Sequence, residues 1–378
     1  MKRCTCLLFE TGFEKGIPGY TTDVPSGSFP FWGNFFFADV LVSNLVGLTE
    51  KQPLYFFTPE PHFTELQKTI HRWKVKNNVE LLMNHEDRNG FISWIKQMKS
   101  DIFIIGGTAH AFLFKKNQLQ SMLKKQHADL ARISVEMTPL DMFVVTRKKL
   151  LAIAQKSETV QDTEKTFQQI LFKHLSTEFE TIEDVPGRVF FHRHSIDLYS
   201  AHKFLLEAAD SGEYNQIAEQ FSFLASPHAE SYIGETGEVK NAFIAAGAEI
   251  YGTVINSVIF PGVVIAKGAV VENSVVMSNN KIGPDTKIEN AVLFPYAKGS
   301  FSESYNIRNN ARIGSLSKKT ANTKYPMDIY DGVTVLGLNP QIPEGTVIDA
   351  ACYIGPNLSM EAFSRYNKVV KKGMCIET

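Results

Sequence analysis

The chain has 378 residues, of which 21% are charged, with a formal charge of -1 and a sequence pI of about 6.8. That near-neutral balance gives no electrostatic footprint for nucleic acid or an anionic membrane surface, so neither is expected as a partner. No apolar run reaches the roughly 18 residues of a membrane span, and Met1–Phe9 is too short for a signal peptide, so a cytoplasmic location is expected.

In chain order, the cysteines come first. Cys4 and Cys6 form a lone C-x-C, and Cys352 and Cys375 lie far away. Without a second ligand pair this is no metal pattern, and reduced thiols are expected. Leu54–Thr58 and Asp101–Ile105 are short apolar runs of the kind that form buried parallel strands. Phe63–Lys74 and Lys116–Gln126 carry apolar residues at helical spacing, as do Thr159–Leu175 and Tyr199–Ala209. Strands alternating with helices predict an open, mostly parallel α/β sheet over residues 1–212, whose ligands would sit beyond the carboxyl ends of the strands. Residues 213–238 read as a linker.

From Val239 onward the pattern changes to a period of six. Aliphatic residues recur at Ile244 and Ile250; at Ile259, Ile265, Val271 and Met277; and at Ile282, Ile288 and Phe294. Small and turn residues fall between them, as in Ile259-Phe-Pro-Gly-Val-Val-Ile265. One inward aliphatic per six residues, followed by a corner, predicts a left-handed parallel β-helix of hexapeptide repeats over 239–378. Its coils bury their faces on one another, and about five coils fit the spacing. The pattern fades over 295–327 apart from Ile307 and Ile313, and resumes at Ile342, Ile348 and Ile354.

Three stretches carry a family resemblance. Phe29 to Val46 resembles the ADP-glucose pyrophosphorylase segment P-F-G-G-x-x-R-x-I-D-F-x-L-S-N. His194 to His202 is similar to that family's G-T-I-D-x-Y-x-A-N stretch. Val254 to Met277 is similar to its β-helix phrase V-x-x-S-V-L-F-x-G-V. The resemblance implies a nucleotidyltransferase-like α/β domain ahead of the β-helix. It further implies synthesis of ADP-glucose from glucose 1-phosphate and ATP for glycogen or starch, with a Gly-rich phosphate loop, two Mg²⁺-binding aspartates and a lysine for the sugar phosphate.

Those chemical parts are missing. The family's G-G-x-G-x-R-L is replaced by the stretch from Glu10 to Pro18, which keeps Gly12, Lys15 and Gly16 as a relic loop but has no Gly-Gly pair and no arginine. The first metal aspartate of G-D-H-x-Y falls at Ala109, which has no ligand atom. The second falls at His192, a poor ligand for Mg²⁺. The E-K-P sugar-binding segment is lost between Ser134–Met137 and Asp141–Val145. No catalytic residue, metal or cofactor is therefore expected, and Mg²⁺ would enter only if the chain were active with rearranged ligands.

The resemblance points to the family's non-catalytic regulatory subunit. Its partner would be a catalytic pyrophosphorylase subunit or a second copy of itself, with a sugar phosphate or nucleotide as effector. Gly106 and Gly107 read either as a relic nucleotide contact or as a turn after a strand. Arg188, Arg193 and Lys203 read either as an effector phosphate pocket or as a solvated face. Phe31, Trp32, Phe35 and Phe36 read either as a plug in the vacated cleft or as an interface patch. Three other functions remain open: an active glucose-1-phosphate adenylyltransferase, a stand-alone nucleotide or sugar-phosphate sensor, and an acyltransferase. The last is disfavoured because all ten histidines precede the β-helix.

Overall fold

A computed structural model describes residues 3–10, 26–33, 35–46, 48, 53–77, 79–84, 88–108, 111–114, 116–125, 127–156, 166–191, 194–211, 230–297, 305–317 and 319–377. The described residues divide into two units. Cys4–Phe9, Ser26–Phe29 and Phe36–Phe190 belong to the first; Pro30–Phe35 and Phe191 onward belong to the second. No helix among them is long and apolar enough to cross a membrane.

The first unit is built on β1 (Cys4–Phe9), α1 (Phe37–Leu45), β2 (Leu54–Thr58), α2 (Glu60–Asn77), β3 (Val79–Met83) and α3 (Arg88–Gln97). It continues with β4 (Ile102–Gly107), β5 (Ala111–Phe114), α4 (Lys116–Lys125), β6 (Leu130–Val135) and β7 (Thr138–Thr146). It closes with α5 (Arg147–Lys156), α6 (Phe167–Glu178), β8 (Thr181–Val185) and β9 (Gly187–Phe190). Seven strands form one sheet in the order β8-β6-β7-β4-β1-β2-β3. β1 lies parallel to both β2 and β4, β2 to β3, and β6 to β8, while β7 runs antiparallel between β4 and β6. Apart from Cys4 at the start of β1, the central strands are buried throughout, which is why they read as unbroken apolar runs rather than alternating ones. On one face, Leu7, Phe9, Phe57, Phe103, Ile105 and Phe143 pack with Phe91 and Ile95 of α3, Ile153 of α5 and Leu171 of α6. Phe9 stacks on Phe57 at 4.7 Å between ring centroids.

The second unit holds α7 (Ser195–Ser211) and a parallel β-helix. α7, which falls within the residues 1–212 assigned by sequence to the α/β domain, belongs to this second unit. The first rung strand, Tyr232–Ile233, lies inside the stretch read as a linker and pairs with Glu249–Ile250. Two of the three faces carry seven strands each, two more than the spacing implies. The extra rungs sit at Glu238–Lys240 and Val369–Val370, where a coil end does not need a full set of buried aliphatics.

The inward stacks are regular. Val254, Val271, Ile288, Ile313, Ile348 and Val370 follow one another on one face; Ile259, Val276, Leu293, Leu336, Ile354 and Ile376 on another. Ile307 and Ile313 are rung residues, so the irregular region is two separate insertions rather than one. The strict six-residue period fails at one corner. Val276 and Leu293, not Met277 and Phe294, take the register of Ile259, so each of these coils is one residue short of three hexads.

The short corner is made by asparagine. Asn241, Asn256, Asn273 and Asn290 all have φ between 46° and 48°, the left-handed region that asparagine tolerates better than other side-chain-bearing residues. Their amides bond along the stack, Asn241 Nδ2 to Asn256 Oδ1 at 2.8 Å and Asn273 Nδ2 to Asn290 Oδ1 at 3.0 Å. The neighbouring hydroxyls repeat the device: the Ser274 N–H donates to Ser257 Oγ, and the Ala291 N–H to Ser274 Oγ.

Candidate functional site

In an open α/β sheet the chemistry belongs beyond the carboxyl ends of the strands. Here β1 gives onto Glu10, where a phosphate-binding loop would begin with glycine. The Glu10 N–H continues the ladder by bonding to Phe57 O. Its side chain is 1% exposed. Thr58 Oγ1, at the end of β2, donates to Glu10 Oε2 at 2.6 Å. His62, in the first turn of α2, brings Nδ1 to 3.3 Å from Glu10 Oε1, but not in hydrogen-bonding geometry. A carboxylate held at this edge is the reverse of an anion cradle. In a medium of effective dielectric near 20, a negative charge about 5 Å from it is opposed by about 3 kcal/mol.

Gly106 and Gly107 form no turn. They are the last residues of β4 and pair with Leu8 and Phe9. A Cβ on Gly106 would lie 3.0 Å from Leu8 Cδ2, so the glycine permits packing over the strand. Sequence reasoning took a Gly-Gly pair as punctuation, whereas here the pair continues the strand.

The second feature of this edge is the connection between β6 and β7. Val135 pairs directly with Thr138, leaving only Glu136 and Met137 in the turn, with φ of 47° and 64°. Two successive left-handed residues match the twist of a tight hairpin. Asp184 on β8 fastens it, accepting from the Met137 N–H at 2.8 Å and from Ser134 Oγ. The stretch where the resemblance would put a sugar-binding segment is a closed two-residue turn.

The segment from Pro30 to Asn44 keeps structural parts of its motif. Asp39 is fully buried, takes the Phe36 N–H at 2.6 Å to cap α1, and accepts from Trp73 Nε1 at 2.7 Å. Asn44 Nδ2 ties α1 to β5 through Phe112 O. Trp32 has φ 46° and Gly33 φ 72°. The motif's first glycine is thus replaced by tryptophan without any change to a right-handed turn. Left-handed backbone costs a bulky residue about 1 kcal/mol, and the anchoring of the indole offsets it. Trp32 Nε1 donates to Ala201 O at 2.9 Å, the Trp32 N–H donates to His202 Nδ1 at 3.3 Å, and the ring packs on Phe31 and Phe204. Phe31 and Trp32 are buried in the second unit, so they do not form an exposed patch; Phe35 and Phe36 are half-buried.

His202 itself is enclosed by Phe31 and Phe260, and burial pushes its pKa down to about 3. With Nδ1 accepting from Trp32, the proton sits on Nε2, which has no hydrogen-bond partner among the described residues. His202 ends the stretch similar to G-T-I-D-x-Y-x-A-N, but nothing in that stretch marked it as a buried ring.

Of the cations read either as an effector phosphate pocket or as a solvated face, Lys203 and Arg188 lie among the described residues. Lys203 donates to Asn256 O at 2.5 Å and to Asn273 Oδ1 at 2.8 Å, so it pins α7 to the asparagine corner, and burial lowers its pKa. Tyr199 adds bonds to Asn273 O and Asn290 Oδ1. Arg188 is exposed on β9. Gly12, Lys15, Gly16, Ala109, His192 and Arg193 lie outside the described residues. Among the described residues no three His, Cys, Asp or Glu side chains gather as a metal site. The donors at hand do not fit Mg²⁺, since Ala109 offers no oxygen and the Glu10 carboxylate is shared with Thr58 and His62.

Residues 228–336 match the GlmU-like, C-terminal hexapeptide family. The chain is 37% identical over 147 residues to the glucose-1-phosphate adenylyltransferase of Acetivibrio thermocellus, covering 38% of this chain and 32% of that one. It is 36% identical over 129 residues to that of Fervidobacterium nodosum (34% and 27%), and 40% identical over 126 residues to that of Pseudothermotoga lettingae (33% and 28%). Each alignment spans about a third or less of the relative's length. With its mostly parallel α/β sheet and its hexapeptide β-helix, the chain is similar over about a third of its length to glucose-1-phosphate adenylyltransferases.

Proposed function

We propose that this chain makes no ADP-glucose itself and serves as a regulatory or structural subunit of a catalytic glucose-1-phosphate adenylyltransferase in glycogen synthesis. The observation that carries this reading is the two-residue turn between β6 and β7, fastened by Asp184. A sugar phosphate needs a lysine and polar neighbours to hold it, and Glu136–Met137 is too short to supply them. The buried Glu10 carboxylate adds repulsion where triphosphate would lie. Ala109, standing for a metal ligand, removes the stabilisation of charge on departing pyrophosphate.

The test is direct. The purified chain, given glucose 1-phosphate, ATP and Mg²⁺, is expected to release no pyrophosphate, and Ala109→Asp alone is expected to leave it inactive. Co-expressed with a catalytic adenylyltransferase from the same cell, it is expected to co-purify and to change that enzyme's turnover. Pyrophosphate release by the isolated chain would establish the active alternative instead. ATP or sugar-phosphate binding without a protein partner would establish a sensor.

A further inference from the structure

The seven-stranded sheet of the first unit stops at β8, and among the described residues nothing pairs with its outer edge. β8 and the chain on both sides of it, residues 166–191, are all described. Alternate residues of an edge strand turn their N–H and C=O groups away from the sheet, and such a row is a template for a further strand. Proteins often close these edges with a bulge or a proline. Thr181–Val185 contains no proline and pairs with β6 in unbroken register, so neither device is present. Ile182, within this strand, is 52% exposed. Met137, 80% exposed, is tied beside the strand by the bond from its N–H to Asp184.

What guards this edge is charge. Glu136, Glu180 and Asp184 are exposed and Glu183 is half-buried. None of the four makes an ion pair among the described residues. Of the cations on adjoining elements, Arg132 is taken by Asp141 at 3.2 Å, and Arg188 lies past Pro186 on β9. Pairing β8 with the same strand of a second copy would set acidic side chains against acidic ones, which is unfavourable across neighbouring strands. A strand of opposite charge is attracted instead. The edge is closed to itself and open to a basic segment.

We propose that β8 is a docking edge for an extended basic segment of another protein, which joins the sheet as a further strand. Main-chain bonds to the edge would supply the attraction common to any added strand. Lysine or arginine side chains facing Glu183 and its neighbours would select the segment, and its alternate aliphatic side chains would cover Ile182 and Met137. The five residues of β8 span about 16 Å, so a segment of about five to seven residues suffices. The inference rests on the sheet edge alone and holds whether or not the chain is catalytic.

The experiment follows, by fluorescence anisotropy, the binding of a capped peptide of about seven alternating lysines and valines to the full chain at about 0.02 M salt. Saturable binding is expected, and a peptide alternating glutamate with valine is expected not to bind. The basic peptide N-methylated at every second residue, in either phase, keeps its charge but cannot extend the ladder. It is expected to bind at least about tenfold more weakly, since several main-chain bonds are lost. Glu136→Lys/Glu183→Lys reverses two carboxylates that have no partner among the described residues, and is expected to weaken the basic peptide at least about tenfold. Circular dichroism checks that variant's fold, and the N-methylated peptide tests the wild type whether or not the variant folds. Equal binding of the N-methylated peptide would mean attraction by charge without strand addition, and would overturn the proposal. So would equal binding by the variant, which would put the peptide elsewhere, or no binding by the wild type.

Discussion

His202 makes the stability of the second unit depend on pH in a calculable way. Its folded-state pKa is about 3, against 6.5 for an ordinary histidine, because its ring is sealed between Phe31 and Phe260. A depressed histidine pKa means that the unfolded chain binds a proton more readily than the folded one. The neutral ring's contribution is therefore fully present above about pH 6.5 and is lost as pH falls toward 3. Each pH unit in that window is worth about 1.4 kcal/mol, so pH 5.0 costs about 2 kcal/mol relative to pH 7.5. With a urea m-value of about 2–3 kcal/mol/M, the midpoint of the transition should drop by about 0.7–1 M. Other groups titrate over the same range, so the readout is a difference between proteins. His202→Gln keeps an acceptor for the Trp32 N–H and cannot be protonated; it should be less stable at both pH values yet lose most of the acid-dependent drop. Equal drops in wild type and variant, measured by circular dichroism in urea, would refute the assignment of a sealed neutral ring.

Four further outcomes follow from the packing. Trp32→Gly relieves about 1 kcal/mol of left-handed strain but removes a buried indole of the kind that costs about 3–5 kcal/mol to truncate. A net loss of about 2–4 kcal/mol in urea unfolding is expected, even though it restores the motif's own residue. Lys203→Met should cost about 1–3 kcal/mol by leaving Asn256 O and Asn273 Oδ1 without their donor, with the loss seen in the thermal midpoint. Gly268→Ala should cost about 2 kcal/mol or more, since φ is +78° and the new Cβ would lie 2.2 Å from Asp285 Oδ1. Gly345→Ala, at φ +68° with nothing within 4 Å, isolates the backbone part of that cost at about 1 kcal/mol.

Much of the architecture was legible because it is periodic. Leu54–Thr58 and the run ending at Ile105 are buried on both faces, so composition alone marks them. Ile244, Ile250, Ile259, Ile265, Val271, Ile282 and Ile288 sit where the six-residue spacing puts them. The spacing went wrong at Met277 and Phe294, one residue late, because a left-handed asparagine shortens the corner. The asparagines at 241, 256, 273 and 290 carried that information as a second, unread repeat. The site was less legible. Absences at Ala109 and in the E-K-P stretch could be read by comparison, but the contacts that replace them join distant segments. Glu10 meets Thr58 and His62 only after β1 and β2 have paired, and His202 meets Trp32 across 170 residues of chain. Lys203 read as a free cation since no local pattern reveals that the asparagine corner lies in front of it.

The turn of Glu136 and Met137 bears on how such a chain can change over time. A missing ligand at a single position, such as Ala109, is one codon away from return. A strand pair joined by two residues is not, because a longer loop has to arrive as inserted sequence and then learn a fold of its own. It would also have to displace the bond between Asp184 and the Met137 N–H, so its first versions would be less stable than the parent. Point mutation can therefore drift through the cleft without reopening it. On the reading proposed above, the shortest step in the molecule is also the one least open to reversal, and selection is left to act on its surfaces.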